Sequence, residues 1–173
     1  MSAAEPPAAP ARWRPMTAGD LGAVSRIAAA VHPLFPEEDA VFAERLALAP
    51  AGCLVLEAPA GPVGYAIGHP WLRRDFPPLD TLIGALPAEA GAFYIHDVAL
   101  LPQARGTGAA GAVARRLIGL AADLGLGELS LVAVNGSAPF WSRQGFADAT
   151  DAGLRARLGG YGADALFMSR PTG

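Results

Sequence analysis

A chain of 173 residues is long enough for one domain with a continuous hydrophobic core. With 52% hydrophobic and 17% charged residues it falls among folded globular chains rather than disordered ones, and a formal net charge of −3 argues against a protein that grips nucleic acid through a basic face. All 13 basic residues are arginine, and the single cysteine, Cys53, excludes an internal disulfide and suits a reducing, cytoplasmic compartment.

The opening MSAAEPPAAP lacks the basic and apolar regions of a secretion signal. Its Pro/Ala content reads as a disordered tail over residues 1–11, ahead of a single domain at 12–173. No apolar run reaches the ~20 residues that span a bilayer, so no membrane partner is expected. RWRPM (12–16) reads as a first strand. Thr17 caps a helix, with Asp20 three residues on. Leu21, Val24, Ile27 and Val31 follow at helical spacing, and Pro33 ends the run. The loop HPLFP (32–36) leads into a second helix, whose expected first turn holds Glu37, Glu38 and Asp39 at the positive end of the helix dipole.

Strands at 53–57 and 63–67 flank the turn APAGP and form a hairpin. Cys53 lies in the apolar run of the first and reads as a core thiol rather than a nucleophile. Residues 69–89 are irregular and Pro-rich, a loop of the length that often serves function. AFYIHDVALL (92–101) is the strongest strand. Regular alternation puts Tyr94, His96 and Val98 on one face and Ile95, Asp97 and Ala99 on the other. A helix over 106–124 carries the stripe Val113, Leu117, Leu120, Leu124 and stops at Gly125 and Gly127. A strand at 128–134, a short helix at 135–143 and a last strand at 165–170 complete a mixed α/β order around one sheet. There is no repeat and no internal linker.

The loop PQARGTGAAG (102–111) holds two overlapping phosphate signatures. Gly106, Gly108 and Gly111 spell the G-x-G-x-x-G of a dinucleotide turn, but Pro102 to Arg105 separate the strand from the first glycine. The next strand ends in Val134-Asn135 without the acidic residue that would hold a ribose. No Gly-Lys-Ser/Thr follows, so a P-loop fails too. The other register fits its context. A strand ends, a turn exposes backbone N–H groups, glycines let a ligand approach, and a helix N-terminus faces the same point. That is an anion site suited to a pyrophosphate, with Arg105 able to add a charged contact.

Residues 93–146 resemble the acetyl-CoA-binding half of the GNAT superfamily of N-acetyltransferases. Gln103, Gly106 and Gly108 match its Gln/Arg-x-x-Gly-x-Gly/Ala signature. VALLP (98–102) matches the strand entering that loop, and NGSAPFWSRQGF (135–146) matches the Asn-x-x-Ala helix that follows the next strand. The resemblance implies a central, mostly antiparallel sheet of six to seven strands flanked by about four helices, with the fourth and fifth strands splayed to admit the cofactor. It implies acetyl-CoA as co-substrate, no metal, an amine acceptor as partner, no nucleic acid and no membrane, and it allows a homodimer. Backbone groups of Val98 and Leu100 would bind the pantetheine arm, and N–H groups of Arg105, Gly106, Thr107, Gly108 and Ala109 the pyrophosphate. Asn135 would sit near the thioester, with Ser137 and Trp141 in the helix that covers the arm. The N–H of Leu100 would stabilise the oxyanion.

Acyl transfer to an amine also needs a base and a route for the leaving thiolate. Histidine, with an ordinary pKa near ~6.5, suits base work near neutrality, and His96 lies on the strand beside the expected thioester. The family's serotonin N-acetyltransferase uses two strand histidines. His96 matches one, and Tyr94 stands at the other. Asp97, on the opposite face, is the weaker candidate. The usual acid is a tyrosine where this chain has Trp141, and indole cannot protonate a thiolate. Either Tyr94, Tyr161 or Ser137 replaces it, or the thiolate leaves unaided. No cysteine lies in the matching segments, so direct attack in a ternary complex is expected rather than an acyl-enzyme. The acceptor site falls to residues 32–39 and 69–76, where aromatics beside acids suit an amine with an apolar body. Arg73 and Arg74 instead suit a carboxylate-bearing acceptor. The Trp141 departure also leaves open a module that binds acetyl-CoA without efficient transfer.

Overall fold

A computed structural model of the chain describes residues 10–173; most of the expected N-terminal tail lies outside the described residues. Seven strands form one sheet in the order β1-β2-β3-β4-β5-β7-β6. They are β1 (Arg12–Pro15), β2 (Cys53–Ala58), β3 (Gly61–Trp71), β4 (Ala92–Leu100), β5 (Glu128–Ala133), β6 (Ala147–Asp148) and β7 (Leu166–Pro171). Every pairing is antiparallel except β4 with β5. That exception is forced by α3 (Ala109–Asp123), which carries the chain back across the sheet between them. The mixed sheet with flanking helices is the architecture anticipated.

The two faces are covered by different helices. Val113, Ala114, Leu117 and Ala121 of α3 pack on Leu54, Phe93, Ile95, Leu129 and Leu131, and Trp141 of α4 (Ala138–Arg143) joins them. On the other face, α1 (Leu21–Val31) and α2 (Asp39–Leu48) set Val24, Ile27 and Phe42 against Val55, Tyr65, Ile67 and Ala99. A fifth helix, α5 (Ala152–Arg157), and the 3-10 turn after it (Leu158–Tyr161) bury Leu154 and Leu158 against Phe76, Tyr94 and Phe167. The sequence pattern did not reveal α5. Its AGLRAR contributes one buried residue, too little for a periodic signal.

Three local expectations change. Thr17 and Asp20 do form a reciprocal cap, but around a 3-10 turn (Ala18–Asp20) that precedes α1. The second helix begins at Asp39, so Glu37 lies outside its first turn and serves something other than the helix dipole. β3 runs on to Trp71 and takes His69 into the sheet, where the ring is fully buried rather than part of an acceptor loop. Burial pushes the His69 imidazole down to about 4, so it is neutral. Cys53 is fully buried and its thiol is pushed up to about 12, a core residue as expected.

Candidate active site

The site is made by a fault in the sheet. β4 and β5 pair from Ala92–Glu128 to Ile95–Leu131 and then part, although β4 continues to Leu100. At the same point the β3–β4 register slips: Ile67 faces Asp97 and Gly68 faces Ile95, which leaves His96 as an extra residue in β4. A bulge bends its strand and adds local twist, so β4 leaves β5 where His96 is inserted. Leu101 N–H donates to Val63 of β3 at 2.8 Å. Successive N–H groups along a strand point to opposite edges, so Val98 and Leu100 present theirs to the gap. The Leu100 carbonyl on that edge accepts from Arg105 Nε at 3.2 Å.

The gap widens into a cavity of about 570 Å³. Of the residues singled out from the sequence, Tyr94, His96, Asp97, Val98, Leu100, Arg105, Asn135, Ser137, Trp141 and Tyr161 line it. Gln103, Gly106, Thr107, Gly108 and Ala109 do not, but Ala110 in the first turn of α3 does, so their turn stands at its mouth. Gln103 is exposed, and the 3-10 turn Pro102–Ala104 that holds it precedes the glycines. Gly106 and Gly108 have φ of 72° and 84°, and a Cβ on either would meet nothing within 4 Å. Among the described residues the N–H groups of Gly106, Thr107 and Gly108 donate to no protein acceptor, while the Thr107 hydroxyl is turned inward onto the Ala104 carbonyl at 2.7 Å. Free N–H groups at a helix start, with open space above two glycines, fit a pyrophosphate.

The bulge has a chemical consequence that corrects the alternation read from sequence. His96 and Asp97, expected on opposite faces, both turn toward α1 and α2. His96 Nε2 lies 2.7 Å from Glu37 Oε1, with side chains only 6% and 7% exposed. The other oxygen, Glu37 Oε2, accepts from the Asp80 N–H at 3.1 Å and so ties the 72–91 segment to the same carboxylate. Asp97 Oδ1 lies 2.8 Å from His32 Nε2, at the C-terminal end of α1, and Oδ2 accepts from the buried Tyr65 hydroxyl. His32 Nδ1 in turn meets Asn135 Nδ2 at 3.2 Å. Asn135 holds a left-handed φ of 55° in the Asn-Gly turn after β5, which aims its amide into the cavity.

The cavity therefore contains two histidine–carboxylate pairs on neighbouring positions. Burial lowers the His32 imidazole, but the Asp97 carboxylate outweighs it and Glu37 assists, so the net shift is upward. Asp97 is the counterpart: burial raises it, while His32 and Tyr65 hold it below the usual carboxylate range. Sequence reasoning had placed His32 and Glu37 in a loop flanking the acceptor, but nothing in the pattern showed which strand residues they meet.

At the far end, Phe35 and Tyr161 approach to 6.2 Å between ring centroids, and Leu79 lies beside them. This brings the α1–α2 loop against the turn after α5. Arg157 fastens that turn to the 72–91 segment through Asp75 Oδ1 at 2.6 Å and the Phe76 carbonyl at 2.7 Å. Arg73 and Arg74 do not reach the cavity. Arg73 faces Glu128 at 3.4 Å, and Arg74 pairs with Asp151. Among the described residues Arg105 is the one arginine in the lining. Trp141, 7% exposed, packs edge-on against Phe140 and Phe146 with centroids 4.9 and 5.4 Å away.

Residues 23–146 match the model of the acetyltransferase (GNAT) family. No curated protein matches the chain in sequence. Among solved structures, the fold is similar to the loading GNATL domain of CurA from Lyngbya majuscula (12% identity, 94% of this chain and 98% of that one, TM-score 0.78). It is similar to the GphF GNAT-like decarboxylase in complex with isobutyryl-CoA (15%, 94% and 100%, TM-score 0.75). It also resembles the ribosomal-protein-S18-alanine N-acetyltransferase from Escherichia coli (17%, 94% and 94%, TM-score 0.64). With the family match spanning well over half the chain and the parted strands described above, the protein belongs to the acetyltransferase (GNAT) family, whose general chemistry is acetyl-CoA-dependent acyl transfer.

Proposed function

We propose that the protein transfers the acetyl group of acetyl-CoA to a small primary amine by direct attack, with both reactants held in the cavity between β4 and β5. The observation that carries this reading is the parting of the strands at Ile95 and Leu131. It leaves the Val98 and Leu100 N–H groups without a β5 partner for a pantetheine arm to meet, with the glycine turn at the mouth. The free N–H groups of Gly106 to Gly108 hold the pyrophosphate, and the Leu100 N–H faces the carbonyl oxygen on which charge develops. The Arg105 and Ala109 N–H groups expected to join them donate instead to the Pro102 carbonyl and the Thr107 hydroxyl. Asn135 and Ser137 stand beside the thioester end, and Trp141 shapes the wall there.

An amine arrives as an ammonium and must lose a proton before it attacks. His96 takes that proton, with Glu37 holding its other ring nitrogen and so fixing the ring's orientation. Phe35, Leu79 and Tyr161 receive the acceptor's apolar body. A carboxylate-bearing acceptor loses its support, because Arg73 and Arg74 are paired outside the cavity. The Phe35–Tyr161 contact between opposite walls favours a small molecule over a chain passing through.

A second reading, an acetyl-CoA-binding module without efficient transfer, is motivated by Trp141 at the position of the family's usual acid. CoA release from acetyl-CoA over a panel of primary amines separates the two. Release above the hydrolysis rate with an apolar amine supports transfer; cofactor binding with no such release supports the module. The GNAT-like decarboxylase among the structural neighbours adds an arm, carbon dioxide release from a carboxyacyl-CoA without amine, and activity there alone would replace the transferase reading.

A further inference from the structure

We infer that His32 is the acid that protonates the departing coenzyme A sulfur, with Asp97 and Tyr65 as its positioning residues. The inference rests on the transferase reading above and fills the role that Trp141 cannot. Three contacts place it. His32 Nε2 is held by Asp97 Oδ1 at 2.8 Å, Asp97 is itself fixed by the Tyr65 hydroxyl, and His32 Nδ1 faces at 3.2 Å the amide of Asn135, which the transferase reading sets beside the thioester. His32 enters from the end of α1 and is only 14% exposed, so the ring is not free to leave this line.

The two histidine–carboxylate pairs divide the work by their surroundings. The charged groups facing His32 are Asp97 from β4, Glu37 from the loop before α2 and Arg105 from the loop before α3; the neutral Asn135 amide comes from the turn before α4. The two carboxylates outweigh the guanidinium and the burial of the ring, so His32 holds a proton above the ordinary imidazole range. An imidazolium suits an alkyl thiolate, which is at least as basic as the cysteine thiolate with its conjugate-acid pKa of about 8.5. Asn135 accommodates both forms of the ring, since a half-turn of its amide presents either Nδ2 to a bare Nδ1 or Oδ1 to a protonated one.

The balance closes. The ammonium gives one proton to His96. The C–N bond forms, the C–S bond breaks with its electron pair on sulfur, and His32 Nδ1, exchanging its Asn135 contact for the sulfur, delivers its proton there. The new amide nitrogen sheds its second surplus proton. Of the two protons lost by nitrogen, one restores His32 and the other leaves to solvent. The Nε2 proton stays on His32 throughout, donated to the Asp97 carboxylate, which is not consumed.

The test has one part that needs no acceptor. The thiolate of CoA absorbs in the ultraviolet, on the short-wavelength side of the aromatic and adenine bands, so the bound thiol can be titrated as a difference spectrum against the S-methyl derivative of CoA on the wild type and on His32→Gln, with folding checked by circular dichroism. The wild type should ionise the bound thiol at lower pH than His32→Gln, because imidazolium stabilises the thiolate. Imidazole NMR of the free protein should show His32 titrating above ~6.5, and Asp97→Asn should lower it. Identical thiol titrations in wild type and variant, or a His32 ring that titrates at or below ~6.5, would overturn the inference. Should His32→Gln not fold, Asp97→Asn takes its place in the thiol titration with the same two outcomes. With an accepted amine, His32→Gln should cut kcat on the order of a hundredfold or more and remove the basic limb of its pH profile. An unchanged rate and profile would also overturn it. Failure of every amine, with the thiol titration still responding to His32, would instead count against the transferase reading and leave the acid in place.

Discussion

Gly108→Ala isolates the phosphate turn from its backbone cost. Gly108 sits at φ 84°, and an added Cβ meets no protein atom within 4 Å. The expense in the free protein is therefore conformational, about 1–2 kcal/mol for an L-residue in the left-handed region. In a chain of this size that lowers Tm by roughly 2–8 °C. Gly125, just past the other end of α3, supplies a matched control: its φ is 71° and its Cβ would also meet nothing within 4 Å. Both alanine variants should lose similar stability in a thermal melt. Only Gly108→Ala should lose affinity for CoA by calorimetry. There the methyl enters the space above N–H groups that have no protein acceptor, and one charge-assisted hydrogen bond is worth about 1.5–3 kcal/mol, roughly a 10- to 100-fold weaker Kd. Equal CoA affinity in Gly108→Ala and the parent, or an equal loss in Gly125→Ala, would refute placement of the pyrophosphate at this turn.

Other consequences can be measured directly. His96→Gln should lower kcat by about 10²–10⁴ and abolish the acidic limb of the pH–rate profile; an intact limb would remove His96 from the base role. Asp97 contributes stability above its unfolded pKa of ~3.9, and loses it as pH falls through its depressed folded value. His32 contributes below ~6.5, and loses it as pH rises through its raised folded value. The pair therefore stabilises most between about pH 4 and 6.5, and Asp97→Ala should cost about 3 kcal/mol there by urea unfolding, with a flatter pH dependence than the parent. A variant as stable as the parent across that window would show that the pair adds nothing to folding. Phe35→Ala should raise KM for apolar amines on the order of tenfold with kcat held, and an unaltered KM would move the acceptor elsewhere.

The cofactor half of the site was legible because it is local. A strand, a glycine turn and a helix start occupy consecutive residues, and the groups proposed to bind the pyrophosphate are backbone N–H groups, so order along the chain is enough to place Gly106, Gly108 and the α3 N-terminus. The parting of β4 from β5 was implied by resemblance, but its position at Ile95 and Leu131 was not written in any single residue type. The part of the cavity proposed for the acceptor is assembled from three separated segments: the end of α1, the 72–91 segment and the turn after α5. Of these, α5 left no periodic trace, and Glu37 looked like an ordinary acid at a helix start.

The sequence by itself determined the class of fold, the glycine turn at the start of α3 and the absence of a tyrosine at Trp141, because each depends on residue type and spacing within one stretch. Tertiary structure alone decided the chemistry beside it. One extra residue in β4 breaks the two-residue period, since register along a strand is set by its neighbour and not by its own alternation. That slip brings His96 and Asp97 to the same side. It hands them to Glu37 and His32, 59 and 65 positions away in the chain, and turns two isolated strand residues into a pair of histidine–carboxylate contacts.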